Sequence, residues 1–202
     1  MDKQAHGNFI AFMNRDKQPG DNKPAFDGRL AIPGTEAEQR FALWAHEYRN
    51  PKTGEMQIMF NGQTSAVSTD AAPMEQVAAL IKQAPAAEKG DATFGNLTLA
   101  PRQIVLFPNG FKADAPDKDR PDYWGAYNPG NGEPVVRISV WAKKDRNQHA
   151  MLGGATSYPI PGRSEAEQQD AAPDLKALVD SGAVSQGMPA KGKGRGRGEA
   201  RA

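Results

Sequence analysis

The sequence predicts an α+β, β-rich fold: two tandem copies of an antiparallel β-meander, each with a short helix, packed together and followed by a disordered basic tail. Three observations carry this. Residues 23–50 match residues 120–147 at a constant offset of 97 without a gap. Within each copy, apolar residues alternate with polar ones at the strand period of two. The last fourteen residues, PAKGKGRGRGEARA, contain no apolar side chain larger than Ala or Pro and cannot build a core.

The duplication defines the units. Pro24 meets Pro121, Gly28 meets Gly125, Arg40 meets Arg137 and Trp44 meets Trp141, while Lys23, Phe26, Phe41 and Leu43 meet Arg120, Tyr123, Ile138 and Val140. With small loop gaps, IAFMN (10–14) lies over VLFPN (105–109) and MFNGQTS (59–65) over MLGGATS (151–157). The second copy lacks the tip PKTGE. The repeat covers about 8–84 and 103–181, and it divides the chain into a first unit (1–90), a second unit (91–185) and a tail (186–202).

Each element follows from local composition. FIAFM is a short β-type run, and the polar loop NRDKQPGDNK follows it. PAFDGRLAI and RFALWAHEY both alternate, and NPKTGEM before QIMFNG is a turn-rich hairpin tip. On RFALWAHEY, Phe41, Leu43 and Ala45 share one face, and Arg40, Trp44 and His46 share the other. The second copy sets Ile138, Val140 and Ala142 against Arg137, Trp141 and Lys143. Pro73 before MEQVAALIKQ places proline in the first turn of a helix, and Pro173 repeats that start. Units this small bury little core alone, which predicts that the two pack together.

Composition bounds the function. The chain has 202 residues, 38% of them hydrophobic, with 16 Pro, 21 Gly and no Cys. Without Cys, disulfides and thiolate metal sites are excluded, and a cytoplasmic location in a host cell is expected. No apolar run approaches the roughly 20 residues of a membrane span. Of 25 basic and 24 acidic residues, five and one lie in the last fourteen, which leaves 20 and 23 and a net charge of −3 for residues 1–188.

Catalytic constellations are not assembled by this sequence. His6, His46 and His149 are unrelated by the repeat, and none has a partner at metal-ligand spacing. The nearest carboxylate grouping is Asp114, Asp117 and Asp119. The expectation is a non-enzymatic protein with no metal and no cofactor.

The aromatic and basic residues have two readings. In one, Trp44 and Trp141, flanked by Arg40, Arg137 and Lys143, form a platform that stacks bases and holds phosphates. In the other, each Trp fills a second core under the helix, and Arg40 and Arg137 lie over its edge. Tyr123 and Trp124 are adjacent in a β run, so one faces the core and the other solvent. Trp124 replaces Asp27 of the first copy and is the surface aromatic specific to the second. Lys144, Arg146, Lys191, Lys193, Arg195 and Arg197 complete the candidate nucleic-acid contacts, the tail attracting phosphates without sequence preference.

The segments FMN…KPAFDG…RFALWAH and FPN…RPDYWG…RISVWAK resemble small β proteins of unknown function encoded by phages and plasmids. Those begin Phe-x-Asn, continue with a Pro-Asp-Tyr-x-Gly strand and end in a Trp-x-Lys hairpin. The resemblance covers about 50 residues of each unit and neither the helices nor the tail. It implies a mobile-element origin and a small β fold, and no catalytic residues. Two function classes stay open: a binder of nucleic acid, single-stranded DNA favoured, and a protein-binding module that inhibits a host defence or polymerase factor.

Overall fold

A computed structural model describes residues 5–35, 37–50, 53–65, 91–94 and 97–164. Its strands are β1 (Gly7–Met13), β2 (Phe26–Ala31), β3 (Glu38–Arg49), β4 (Met56–Thr64), β5 (Ala92–Phe94), β6 (Leu97–Leu99), β7 (Gln103–Pro108), β8 (Tyr123–Tyr127), β9 (Val136–Lys144) and β10 (Ala150–Ser157). Eight of them close into an antiparallel barrel in the order β1-β2-β3-β4-β7-β8-β9-β10, and β5 and β6 form a separate two-stranded sheet.

This corrects the α+β expectation. Among the described residues the fold is all-β, with no helix. The helices expected after Pro73 and Pro173, and the tail from 186, lie outside the described residues. The physical reason concerns edges. A four-stranded meander has two unpaired edges and an apolar face to cover, and the sequence reading covered that face with a helix. Closure meets both needs with strands alone, because each meander supplies the missing edge partner of the other.

The two seams are equivalent under the duplication. Phe60 of β4 pairs with Leu106 of β7, and Leu152 of β10 pairs with Ala11 of β1. Phe60 corresponds to Leu152 in the repeat, and Ala11 to Leu106. Loop anchoring repeats as well. The side-chain amide of Asn14 donates to the Pro24 carbonyl at 3.0 Å, and that of Asn109 donates to the Pro121 carbonyl at 2.8 Å.

Inward-facing side chains fill the barrel. Phe9, Leu30, Phe41 and Leu43 from the first half meet Ile104, Leu106, Ile138 and Val140 from the second, all fully buried. Burial of each such side chain stabilises the fold by roughly 1.5–3 kcal/mol. Glycine is required at several inward positions, Gly28 and Gly125 being a repeat-related pair. A Cβ on Gly28 would collide with the Ile10 carbonyl oxygen, and one on Gly125 with that of Val105, because the strands coil tightly there. Near the opposite end, the buried Tyr127 hydroxyl donates to Gln39 Oε1 at 2.6 Å and lies 3.2 Å from Thr64 Oγ1.

Candidate binding surface on the barrel wall

With its interior filled, the barrel offers chemistry on its outer wall and at its ends. Trp44 and Trp141 occupy equivalent outward positions on β3 and β9. Trp44 Nε1 donates to the Asn22 carbonyl at 2.9 Å, and Trp141 Nε1 donates to Asp119 Oδ1 at 3.0 Å. Asn22 and Asp119 are themselves 97 residues apart, so each indole ties down the loop after the first strand of its own half. Trp141 is 4% exposed and Trp44 half-buried. Arg40 and Arg137 beside them are 4% and 2% exposed, which withdraws both guanidinium groups from direct phosphate contact.

The adjacent aromatics of β8 divide between the faces. Tyr123 points inward at the barrel mouth, where it packs 5.2 Å from Phe60, and its repeat counterpart Phe26 meets the same ring at 5.4 Å. Burial pushes the Tyr123 phenol pKa upward, and the Asp122 carboxylate adds to that. Trp124 points outward and pairs directly with Phe107 across the strands, with ring centroids 6.5 Å apart. Phe94 of the small sheet lies 5.7 Å from Trp124 on one side, and Tyr48 lies 5.3 Å from Phe107 on the other. Four half-buried rings therefore form one strip across the wall. The Arg137 guanidinium carbon lies 5.4 Å from the centre of the Trp124 ring, within cation–π range.

The first half has no such strip. Asp27 stands where Trp124 stands in the second, and burial raises its carboxyl pKa to about 6 against the opposing pull of Arg40. Its Oδ1 has no hydrogen-bond partner.

Of the remaining candidates, Lys143 is half-buried on the same wall as Trp141, where desolvation lowers its pKa and Asp119 opposes the shift. Lys144 and Arg146 are exposed at the end of β9 and in the turn beyond it. Lys191, Lys193, Arg195 and Arg197 lie outside the described residues. The structure thus brings Trp124, Arg137 and Trp141 onto one wall, sends Tyr123 into the core and keeps Trp44 on the β3 side.

Sequence reasoning missed Tyr48, Phe94 and Phe107. The signal for Phe107 was available, since in VLFPN it alternates outward with Val105. Phe94 carried none, being a single ring in a linker. A groove on the wall of β3, β4 and β7 was missed too. It has a volume of about 380 Å³ and is lined by Trp44, His46, Asn61, Gln63, Ala100 and Gln103 among others. Gln103 Nε2 donates to Asn61 Oδ1 at 3.1 Å, so the groove is rich in amides.

Among the described residues, no three His, Asp or Glu side chains gather to hold a metal ion. No helix among them is long and apolar enough to cross a membrane. Comparisons with protein-family models, curated proteins and solved structures find no match to the chain.

Proposed function

We propose that the chain is a non-enzymatic binding protein of a phage or other mobile element, and that it takes single-stranded nucleic acid along the aromatic strip of its outer wall. One observation carries the reading: Tyr48, Phe107, Trp124 and Phe94 line up on one wall, and Arg137 stacks on Trp124. Every base has a π-face, so a row of rings serves a flexible strand without sequence readout, at about 1–3 kcal/mol per stacked base. A duplex keeps its bases stacked internally and offers none of these faces. Lys143, Lys144, Arg146 and the basic tail supply phosphate attraction. Three of the four rings come from the second half and Asp27 stands in the place of Trp124 in the first, so the strip has no repeat-related copy, whereas features shared by both halves, such as the Trp–loop hydrogen bonds, serve the fold.

The test is an anisotropy titration of labelled single- and double-stranded 30-mers at low and moderate salt. Tighter binding of the single strand is expected. If neither oligonucleotide binds at low salt, the reading fails and the protein-binding alternative takes its place. That alternative is favoured by the net charge of −3 on residues 1–188.

A further inference from the structure

We propose that the amide-lined groove on β3, β4 and β7 is a reading pocket, which takes one base of the strand lying on the aromatic strip and hydrogen-bonds its edge. The inference rests on the strand-binding reading above and adds base recognition to it. Groove and strip share a wall. Trp44, His46 and Tyr48 alternate onto one face of β3, and Gln103 and Phe107 onto one face of β7. The groove therefore lies beside the Tyr48–Phe107 end of the strip, with Trp44 about 13 Å along β3 from Tyr48.

A relay of amides fixes one donor in this groove. The Ala100 N–H, just after β6, donates to Gln103 Oε1 at 2.9 Å. A backbone N–H can only donate, so the other end of the Gln103 amide is Nε2. That nitrogen donates to Asn61 Oδ1 at 3.1 Å. Asn61 Nδ2, with two N–H groups, is left as the end of the relay, and no hydrogen bond among the described residues uses it. Gln63 stands directly opposite Gln103 in the register, and its side-chain amide is equally uncommitted among the described residues. The barrel does not need these amides. In the second half Gly153 and Ala155 stand at the places of Asn61 and Gln63, and Gly153 pairs with Trp141 as Asn61 pairs with Trp44.

The chemistry of the groove selects its occupant. Among the described lining residues there is no Asp, Glu, Lys or Arg, so the groove suits a neutral group and not a phosphate. Its volume of about 380 Å³ is within the range of small-ligand sites and accommodates one base. Splayed bases of single strands are recognised by aromatic contact and by hydrogen bonds to their edges. Trp44 supplies the first, and Asn61 and Gln63 supply the second. Asn61 Nδ2 calls for an acceptor on the base, a keto oxygen or a ring nitrogen. Gln63 can donate to the neighbouring position or accept from it.

The test follows side-chain amide and indole N–H signals by NMR while the full chain is titrated with a single-stranded thymidine 30-mer. The Asn61 and Gln63 amides should shift together with the Trp124 indole, which reports on the strip. Asn61→Val removes the donor without adding charge, and should weaken binding of that strand about threefold to tenfold, with a thermal melt showing that the fold persists. It should change nothing for a strand whose thymines are replaced by difluorotoluene, which has the same shape without strong acceptors. Movement of the Trp124 signal with none at Asn61 overturns the pocket and leaves the strip reading standing. Movement of neither overturns both. An equal loss on the two strands would make Asn61 a merely structural residue, and also overturns the proposal.

Discussion

The Trp141 indole donates to the Asp119 carboxylate at 3.0 Å, joining the outer face of β9 to the loop between β7 and β8. The acceptor is charged and the ring almost wholly buried. Trp44 makes the same bridge to a neutral acceptor, the Asn22 carbonyl, from a more open site. The same fold element is thus held with different strengths in the two halves.

From this, Trp141→Phe should cost about 1.5–3 kcal/mol and Trp44→Phe about 0.5–1.5 kcal/mol, since hydrogen bonds to charged groups are the stronger kind. Urea unfolding of the two variants side by side measures the difference. Equal losses would mean that the loops are held by something other than the indoles.

The close approach at Gly125 makes a second prediction. Gly125→Ala places a methyl group on the Val105 carbonyl and should destabilise by about 4 kcal/mol or more. Gly153→Ala is the control, because the nearest atoms to its new Cβ are side-chain ends at 3.8 Å. It should stay within about 0.5 kcal/mol of the parent. Thermal melts of both variants check this.

Asp27 makes a third, and its sign runs opposite to that of the usual paired carboxylate. Its folded pKa, about 6, lies above the unfolded value of 3.8. Between these limits the folded state binds more protons than the unfolded one, so the contribution of Asp27 is fully present below pH 3.8 and is lost as pH rises through about 6. Asp27→Asn should remove that loss. After discounting for its partial exposure, the difference in slope amounts to on the order of 1 kcal/mol between the two pH limits. Urea midpoints of parent and variant from pH 4 to pH 7 read it out. Parallel profiles would show that Asp27 titrates normally.

Much of the fold was legible. The offset of 97 located equivalent strands, and alternation put Phe41 and Leu43 on one face and Trp44 on the other. The same alternation sent Tyr123 and Trp124 to opposite faces. Closure was not legible. A period of two reports which face a residue occupies, and says nothing of which edge strand pairs with which. The pairing of Phe60 with Leu106 joins two halves that a repeat reading treats as separate layers. Ala45 shows the related limit: its pattern is that of a core residue, yet it is exposed, because β3 there has outrun β2. The strip was half legible. Its Trp124 was marked by the comparison with Asp27, while Tyr48 and Phe94 reach it only through the barrel's curvature and the small sheet.

The central claim is that the strip stacks bases, and Trp124→Ala tests it most directly. Affinity for a single-stranded 30-mer is measured for parent and variant at two salt concentrations, with a thermal melt to show that the fold persists. A stacking ring predicts a loss of about 1–3 kcal/mol, roughly 5- to 150-fold, and the same at both salts. An unchanged affinity in a folded Trp124→Ala protein would contradict the account.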